Sequence, residues 1–401
     1  MDGRAFENKF SLYDGKSLVG EDGKLLAGRQ ELLRSHIDRL LQKLYSGLDD
    51  DTDTNYSLYT GIGGIAYLHW HMYHKLGKDP QYLERAYCYI KHHLRHLKGR
   101  RATFLCGDAG LLALGAVVCS EMGKVDKAQD LIKRLEAMHD GVCSDHNLPD
   151  EVLFGRAGYL FALLFVQRHL GDDKINNSVI YKVFQSMIDR GRRLSREEGL
   201  SHPLMYRWHD RYYLGAAHGL AGILSVLMQV PDPAGKYKSV ITDFVKPSVD
   251  YMLGLRFPSG NGPSSLESEN GDKLIHWCHG APGWINMFIS AYKTFSDSKY
   301  LEAAKKCADV IWERGILKKG YGICHGTAGN AYAFLTMYKL TNNQEYLYKA
   351  YKFAEWCCDY GKHGCRTPDA PFSLFEGMAG TIYFLIDMID PSKAHFPAFE
   401  L

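Results

Sequence analysis

The chain has 401 residues, 48 of them basic and 46 acidic, and 46% of them are apolar. This is a globular profile, and the scattered, nearly balanced charge argues against a nucleic-acid surface. No stretch approaches the roughly 18 uninterrupted apolar residues of a membrane span. The opening Met1-Asp-Gly-Arg4-Ala-Phe6 has no apolar signal segment and no glycine after Met for myristoylation, so the expected compartment is the cytosol.

In chain order, the first sixty residues read as a lead-in with one helix near Gln30–Tyr45, followed by an acidic loop, Asp49–Asp53. From about residue 61 to 390 the chain repeats itself. A Gly-x-small-Gly element followed by an apolar run begins at Gly61, Gly107, Gly155, Gly219, Gly280, Gly326 and Gly377, with spacings of 46, 48, 64, 61, 46 and 51 residues. One such tetrapeptide is a weak signal, but seven at this spacing define a repeat. Each opens a helix apolar nearly all round, as in Leu111–Cys119, which predicts burial on every side. A second, amphipathic helix follows in some units, marked by Tyr-Leu-x-x-Ala at Tyr82, Tyr300 and Tyr346. The basic run His92–Arg101 reads as a solvated helix end. The two long spacings imply insertions, including Arg190–His202. Cys88, Cys119, Cys307, Cys357 and Cys358 fall in apolar helical patterns and read as core thiols.

Open helical arrays need polar capping units at their ends. Here the first and last units carry the same element as the rest, which favours an all-α (α/α) toroid of seven inner and seven outer helices over an open TPR- or HEAT-like array. No boundary divides the chain, so residues 1–401 read as one domain.

If the seven glycine turns share one end of a ring, their flanking residues converge. Before each first glycine stand Thr60, Cys106, Phe154, His218, His279, His325 and Glu376; Asp108 and Arg156 follow two of them. Core packing does not call for such side chains at equivalent turns. Cys278-His279-Gly280 and Cys324-His325-Gly326 occupy the same place in adjacent repeats, and thiolate with imidazole favours zinc. Adjacent residues rarely both reach one ion, so two cysteines and one histidine with a fourth position free is the expected set. The facing carboxylate pair of an α/α glycosidase is not evident, and there is no nucleophile elbow, dinucleotide fingerprint or P-loop.

The motifs Cys106-Gly-Asp-Ala-Gly110, Gly155-Arg-Ala-Gly-Tyr159, Gly215-Ala-Ala-His-Gly219, His276-Trp-Cys-His-Gly280, Gly322-Ile-Cys-His-Gly326 and Ser373-Leu-Phe-Glu-Gly377 together resemble the lanthionine synthetase C-like proteins of animals. The likeness runs from Arg4 to Leu401. It implies a seven-fold double ring of helices around one zinc held by Cys278, Cys324 and His325. Bacterial members of the family add a cysteine thiol to dehydroalanine or dehydrobutyrine. The resemblance implies that this chain binds glutathione and transfers its thiol to electrophiles, either small molecules such as aryl halides or dehydroamino acids in damaged proteins. Lys319 and Arg366-Thr367-Pro368-Asp369 would contact glutathione, with Arg4 as a further candidate. In that chemistry His218 is the leading proton donor, Arg156 would stabilise enolate charge, and Asp108 would orient Arg156 or a histidine. The competing reading is a non-catalytic zinc- and glutathione-binding adaptor that docks onto signalling proteins.

Overall fold

A computed structural model describes residues 3–48, 55–99, 101–232, 234–269 and 271–401. In chain order the helices are α1 (Ala27–Gly47), α2 (Ile62–Lys75), α3 (Pro80–His96), α4 (Asp108–Glu121), α5 (Val125–Ala137), α6 (His139–Ser144), α7 (Arg156–Leu170), α8 (Asn177–Glu197), α9 (Leu220–Leu227), α10 (Lys238–Val240), α11 (Lys246–Gly254), α12 (Ala281–Phe295), α13 (Ser298–Arg314), α14 (Thr327–Thr341), α15 (Gln344–Cys358) and α16 (Met378–Asp387). A π turn, Ile241–Val245, joins α10 to α11. Among the described residues there are isolated β-bridges but no strands.

Every repeated glycine opens an inner helix: Gly61, Gly107, Gly155, Gly219, Gly280, Gly326 and Gly377 are the N-caps of α2, α4, α7, α9, α12, α14 and α16. These helices are enclosed almost all round; α4 is buried without a break from Asp108 to Cys119, and α14 from Thr327 to Tyr338. The outer helices α3, α5 and α8 bury one stripe only. On α3 it is Leu83, Ala86, Ile90 and Leu94, at the three-to-four spacing of one helical face. Asp79, Asn176, Asp297 and Asn343 cap outer helices by accepting from the amide two residues on. Cys119, Cys307, Cys357 and Cys358 are buried as expected, whereas Cys88 is exposed because it lies off the α3 stripe.

The inner helices have no side-chain cap of this kind. A seven-residue loop wraps each start instead, and in six of the seven turns the amide after the first glycine donates to the carbonyl seven residues back. Ile62 to Asn55, Asp108 to Arg101, Arg156 to Pro149, Leu220 to Tyr213, Thr327 to Gly320 and Met378 to Pro371 make this bond at 2.7–3.1 Å. The wrap passes so close that a Cβ at the second glycine would collide with it. At Gly329 the carbonyl oxygen of Ile323 would lie 1.7 Å away, and at Gly110 that of Phe104 would lie 1.8 Å away. This close approach is why the second glycine recurs.

The ring is closed. Consecutive inner helices pack on one another, and α16 returns to α2. The turns are also stitched edge to edge. Cys278 N–H donates to Cys324 (3.3 Å), Cys324 to Phe375 (2.8 Å), Phe375 to Tyr59 (3.0 Å), Tyr59 to Leu105 (2.9 Å), Phe104 to Gly158 (3.2 Å) and Val152 to Ala217 (3.2 Å). The circuit is completed by contact: a Cβ on Gly215 would sit 1.9 Å from the Cys278 oxygen. The lead-in helix α1 is part of the ring, because it packs on α16 as that inner helix's outer partner. The acidic run Asp49–Asp53 lies outside the described residues. Of the predicted insertion Arg190–His202, the first part prolongs α8 to Glu197.

Candidate metal and thiol-transfer site

The stitched rim sets the position of each side chain at the mouth. Cys278 of the fifth turn and Cys324 of the sixth are joined through their backbones, and both are buried. His325 is half-buried beside them, and one ligand atom from each of the three residues lies within 4.8 Å of the others. A hydrogen bond from Cys324 and the charge of Lys319 hold the Cys278 thiol below its ordinary range despite its burial. Burial pushes the Cys324 thiol up. Two thiols and an imidazole at this separation suit a soft, tetrahedral cation, with one position left for an incoming ligand. His279 turns the other way: its ring lies 5.8 Å from Tyr213 and 6.3 Å from His218, and its Nδ1 is buried without a partner.

The two Cys-His turns differ in how they are wrapped. The sixth has the direct bond from Thr327 to Gly320. In the fifth, the equivalent partners are Ala281 and Leu274, and the side chain of buried Asn261 stands between them. Asn261 Oδ1 accepts from the Ala281 amide (2.8 Å), and its Nδ2 donates to the Leu274 carbonyl (3.1 Å) and to Asp272 (2.8 Å). Gly280 has φ +120°, a value closed to L side chains.

His218 Nδ1 pairs with Glu151 Oε2 at 2.8 Å, which leaves Nε2 as the free ring nitrogen. Glu151 is itself fixed, because its carboxylate accepts the amides of Leu153 (2.9 Å) and Phe154 (2.5 Å). The sequence reading missed Glu151, although a signal was there. It stands four residues before the first glycine, where Ser57, Thr103 and Ser373 each accept the amide just before their own glycine. A carboxylate in place of the hydroxyl does that and reaches the next turn as well.

Arg156 was expected to stabilise enolate charge. Its guanidinium is fully enclosed, with its terminal nitrogens bound to Asp150 (3.0 Å) and to the carbonyls of Asp145, Leu148 and Pro149. Both are therefore committed to holding the loop before α7 and are not presented to a substrate. Asp108 accepts from Tyr56 Oη (2.6 Å) and from the Lys98 amide (3.2 Å), tying the first turn to the second.

The residues expected at glutathione come together through the backbone. Lys318 N–H donates to Arg4 (3.0 Å), Phe6 to Ile316 (2.8 Å) and Arg366 to Lys318 (2.8 Å), so the lead-in strip, the sixth-turn approach and the 366–369 loop lie side by side. Arg366 pairs with Asp369 at 2.9 Å, both exposed, and Thr367 and Pro368 lie between them. Buried His276 registers this cationic edge: burial first, then the charges of Lys319, His325 and Arg4, press its imidazole down to about 3.

Residues 52–401 match the family model described as lanthionine synthetase C-like protein. The chain is 45% identical over 405 residues to the zebrafish (Danio rerio) protein named glutathione S-transferase LANCL1, covering 99% of each. Among solved structures it resembles nisin cyclase at a TM-score of 0.66 and 16% identity, over 90% of this chain and 94% of that one, a likeness of fold alone. The Lin0763 protein of Listeria innocua is a more distant likeness, with a TM-score of 0.50 and 10% identity over 91% of this chain and 96% of that one. No helix among the described residues is long and apolar enough to cross a membrane. The chain belongs to the lanthionine synthetase C-like family.

Proposed function

We propose that this chain is a zinc-dependent glutathione transferase that adds the glutathione thiol to electrophilic double bonds such as those of dehydroalanine and dehydrobutyrine residues. The observation that carries the reading is the triangle of Cys278, Cys324 and His325 on the same stitched rim as the Glu151–His218 pair. The relative named glutathione S-transferase supports the co-substrate. Zinc held by those three residues would supply a Lewis-acidic position that lowers the pKa of a coordinating thiol.

The protein's own groups do the rest. Lys319, Arg4 and Arg366 offer cationic donors for the two carboxylates of glutathione, with the 367–369 loop beside them. In the addition the sulfur bonds to the β-carbon, the π pair moves to the α-carbon, and that carbon takes a proton from His218 Nε2. The thiol's own proton restores His218 through water. Glu151 holds the imidazole orientation, the orienting part first expected of Asp108.

The test mixes enzyme, glutathione and a dehydroalanine peptide. Wild type should accelerate addition over the metal-stripped protein, and His218→Ala should lose roughly a hundredfold in kcat while the glutathione KM changes little. Glutathione binding without acceleration by wild type would replace this reading with the adaptor role.

A further inference from the structure

The Glu151–His218 pair is flanked by an aromatic wall that the addition chemistry does not itself require. The Trp208 ring lies on His218 at 4.2 Å and 17°, and Phe154 stands nearly parallel beside both, 5.6 Å from Trp208 and 6.0 Å from His218. Tyr213 closes the corner, 5.9 Å from His218 and 5.8 Å from His279. Phe154 is 45% exposed. It occupies the position just before the first glycine of the third turn, equivalent to His218, His279 and His325 in theirs. A large phenyl ring at a position that faces the mouth elsewhere is open to whatever enters.

Trp208 is supplied by a device not repeated among the described residues of the other inter-repeat segments. It closes a two-residue hairpin through reciprocal bonds with Arg211 (3.0 and 3.1 Å), with His209 and Asp210 both at positive φ. The hairpin is pinned to the next insertion: Leu214 N–H donates to Ser264 (2.9 Å), and Leu266 N–H to Tyr212 (3.0 Å). The backbone that carries the indole is therefore held in place. The site is thus two-sided. The cationic strip of Arg4, Lys319 and Arg366 lies on the sixth- and seventh-turn side, and the aromatic wall lies on the third- and fourth-turn side.

We propose that Phe154, Trp208 and Tyr213 form a subsite for a planar apolar group next to the acceptor double bond. The preferred electrophile would then be one whose reacting carbons are flanked by an aryl or similar flat substituent. This rests on the transferase reading. The α-carbon must come within reach of His218 Nε2, and a substituent on that side meets the wall. Ring stacking of this kind and size corresponds to a selectivity of about tenfold.

The experiment compares kcat/KM within two pairs of acceptors. One pair is dehydroalanine peptides with Phe or Ser beside the acceptor; the other is small enones bearing a phenyl or a methyl group. Wild type should prefer the aromatic member about tenfold in at least one pair. A preference confined to the peptides identifies a protein-borne acceptor, and one confined to the enones a free electrophile. Phe154→Ser and Trp208→Ala should each bring the ratio to within twofold, and Phe154→Tyr should retain most of it. As a binding readout, an unreactive saturated analogue of the phenyl enone should quench tryptophan fluorescence in wild type but not in Trp208→Phe. No preference in wild type, or a preference that survives both Phe154→Ser and Trp208→Ala, overturns the subsite. If wild type adds glutathione to no acceptor, the transferase reading fails instead, and the quenching titration then decides the subsite: saturable quenching that needs Trp208 supports it, and none overturns it.

Discussion

The fifth and sixth turns carry the same three residues, Cys278-His279-Gly280 and Cys324-His325-Gly326, yet only the second directs its histidine to the sulfurs. The sixth keeps the direct seven-residue wrap shared with the others. The fifth has an asparagine amide let into that bond and a glycine at positive φ. One insertion into a loop thus sets two copies of one motif differently, with cysteine and histidine both at the cluster in one and the cysteine alone in the other. The freed histidine faces His218 and Tyr213 instead. Identical sequence does not dictate identical role when the surrounding backbone bonds differ.

The strongest way to break this comparison is metal content. Cys324→Ala and His325→Ala should each purify with far less than one zinc per chain by elemental analysis, while His279→Ala should keep close to one. Loss in His279→Ala with retention in His325→Ala would reverse the assignment. Next in size, Glu151→Gln removes the negative charge behind His218 and keeps only one of the two side-chain oxygens that accept the turn amides. It should lower kcat by about ten- to a hundredfold, because the His218 imidazole loses the carboxylate that fixes its orientation.

Asn261→Leu probes the difference between the turns directly. It strands the Ala281 amide and the Leu274 carbonyl in a buried place, each worth about 1–3 kcal/mol. We expect a lower unfolding midpoint in the metal-free protein, and weaker zinc retention in competition with a chelator. An unchanged chelator competition would mean that the asparagine stabilises the ring without shaping the ligand turn. The smallest effect serves as a control away from both turns. His69 on α2 is fully enclosed, and burial presses its imidazole from the ordinary 6.5 down to about 4. Between those values the unfolded chain binds a proton that the folded chain refuses. The stability is complete above about pH 6.5 and falls as pH drops toward 4, by at most about 3 kcal/mol. Urea titrations of the metal-free protein across that range should show the decline, and His69→Phe should make it shallower, with the other buried histidines keeping the rest.

The ring was legible because its cause is local and repeated: each second glycine answers a carbonyl that passes over it, so spacing alone revealed seven helix starts. Cys278 and Cys324 were legible for the same reason, since equivalent turns of adjacent repeats must be neighbours. What stayed hidden depends on single contacts across the repeats. Nothing in the residue Arg156 announces that its terminal nitrogens are committed to the carbonyls and the Asp150 carboxylate of its own loop. Asn261 lies twenty residues from the amide it caps. The lead-in helix looked accessory because its partner, α16, stands at the other end of the sequence.

That partnership has a consequence for how the molecule assembles. Each inner–outer hairpin within the chain can form from neighbouring residues, but the pairing of Ala27–Gly47 with Met378–Asp387 spans nearly the whole polypeptide. Closing so long a loop costs entropy that no nearby contact offsets in advance, so the circle should seal last and slowly. Until it does, α16 has an uncovered apolar flank. A half-made ring is therefore an aggregation hazard during synthesis, and circular permutants that bring α16 and α1 together early should fold faster than the natural order.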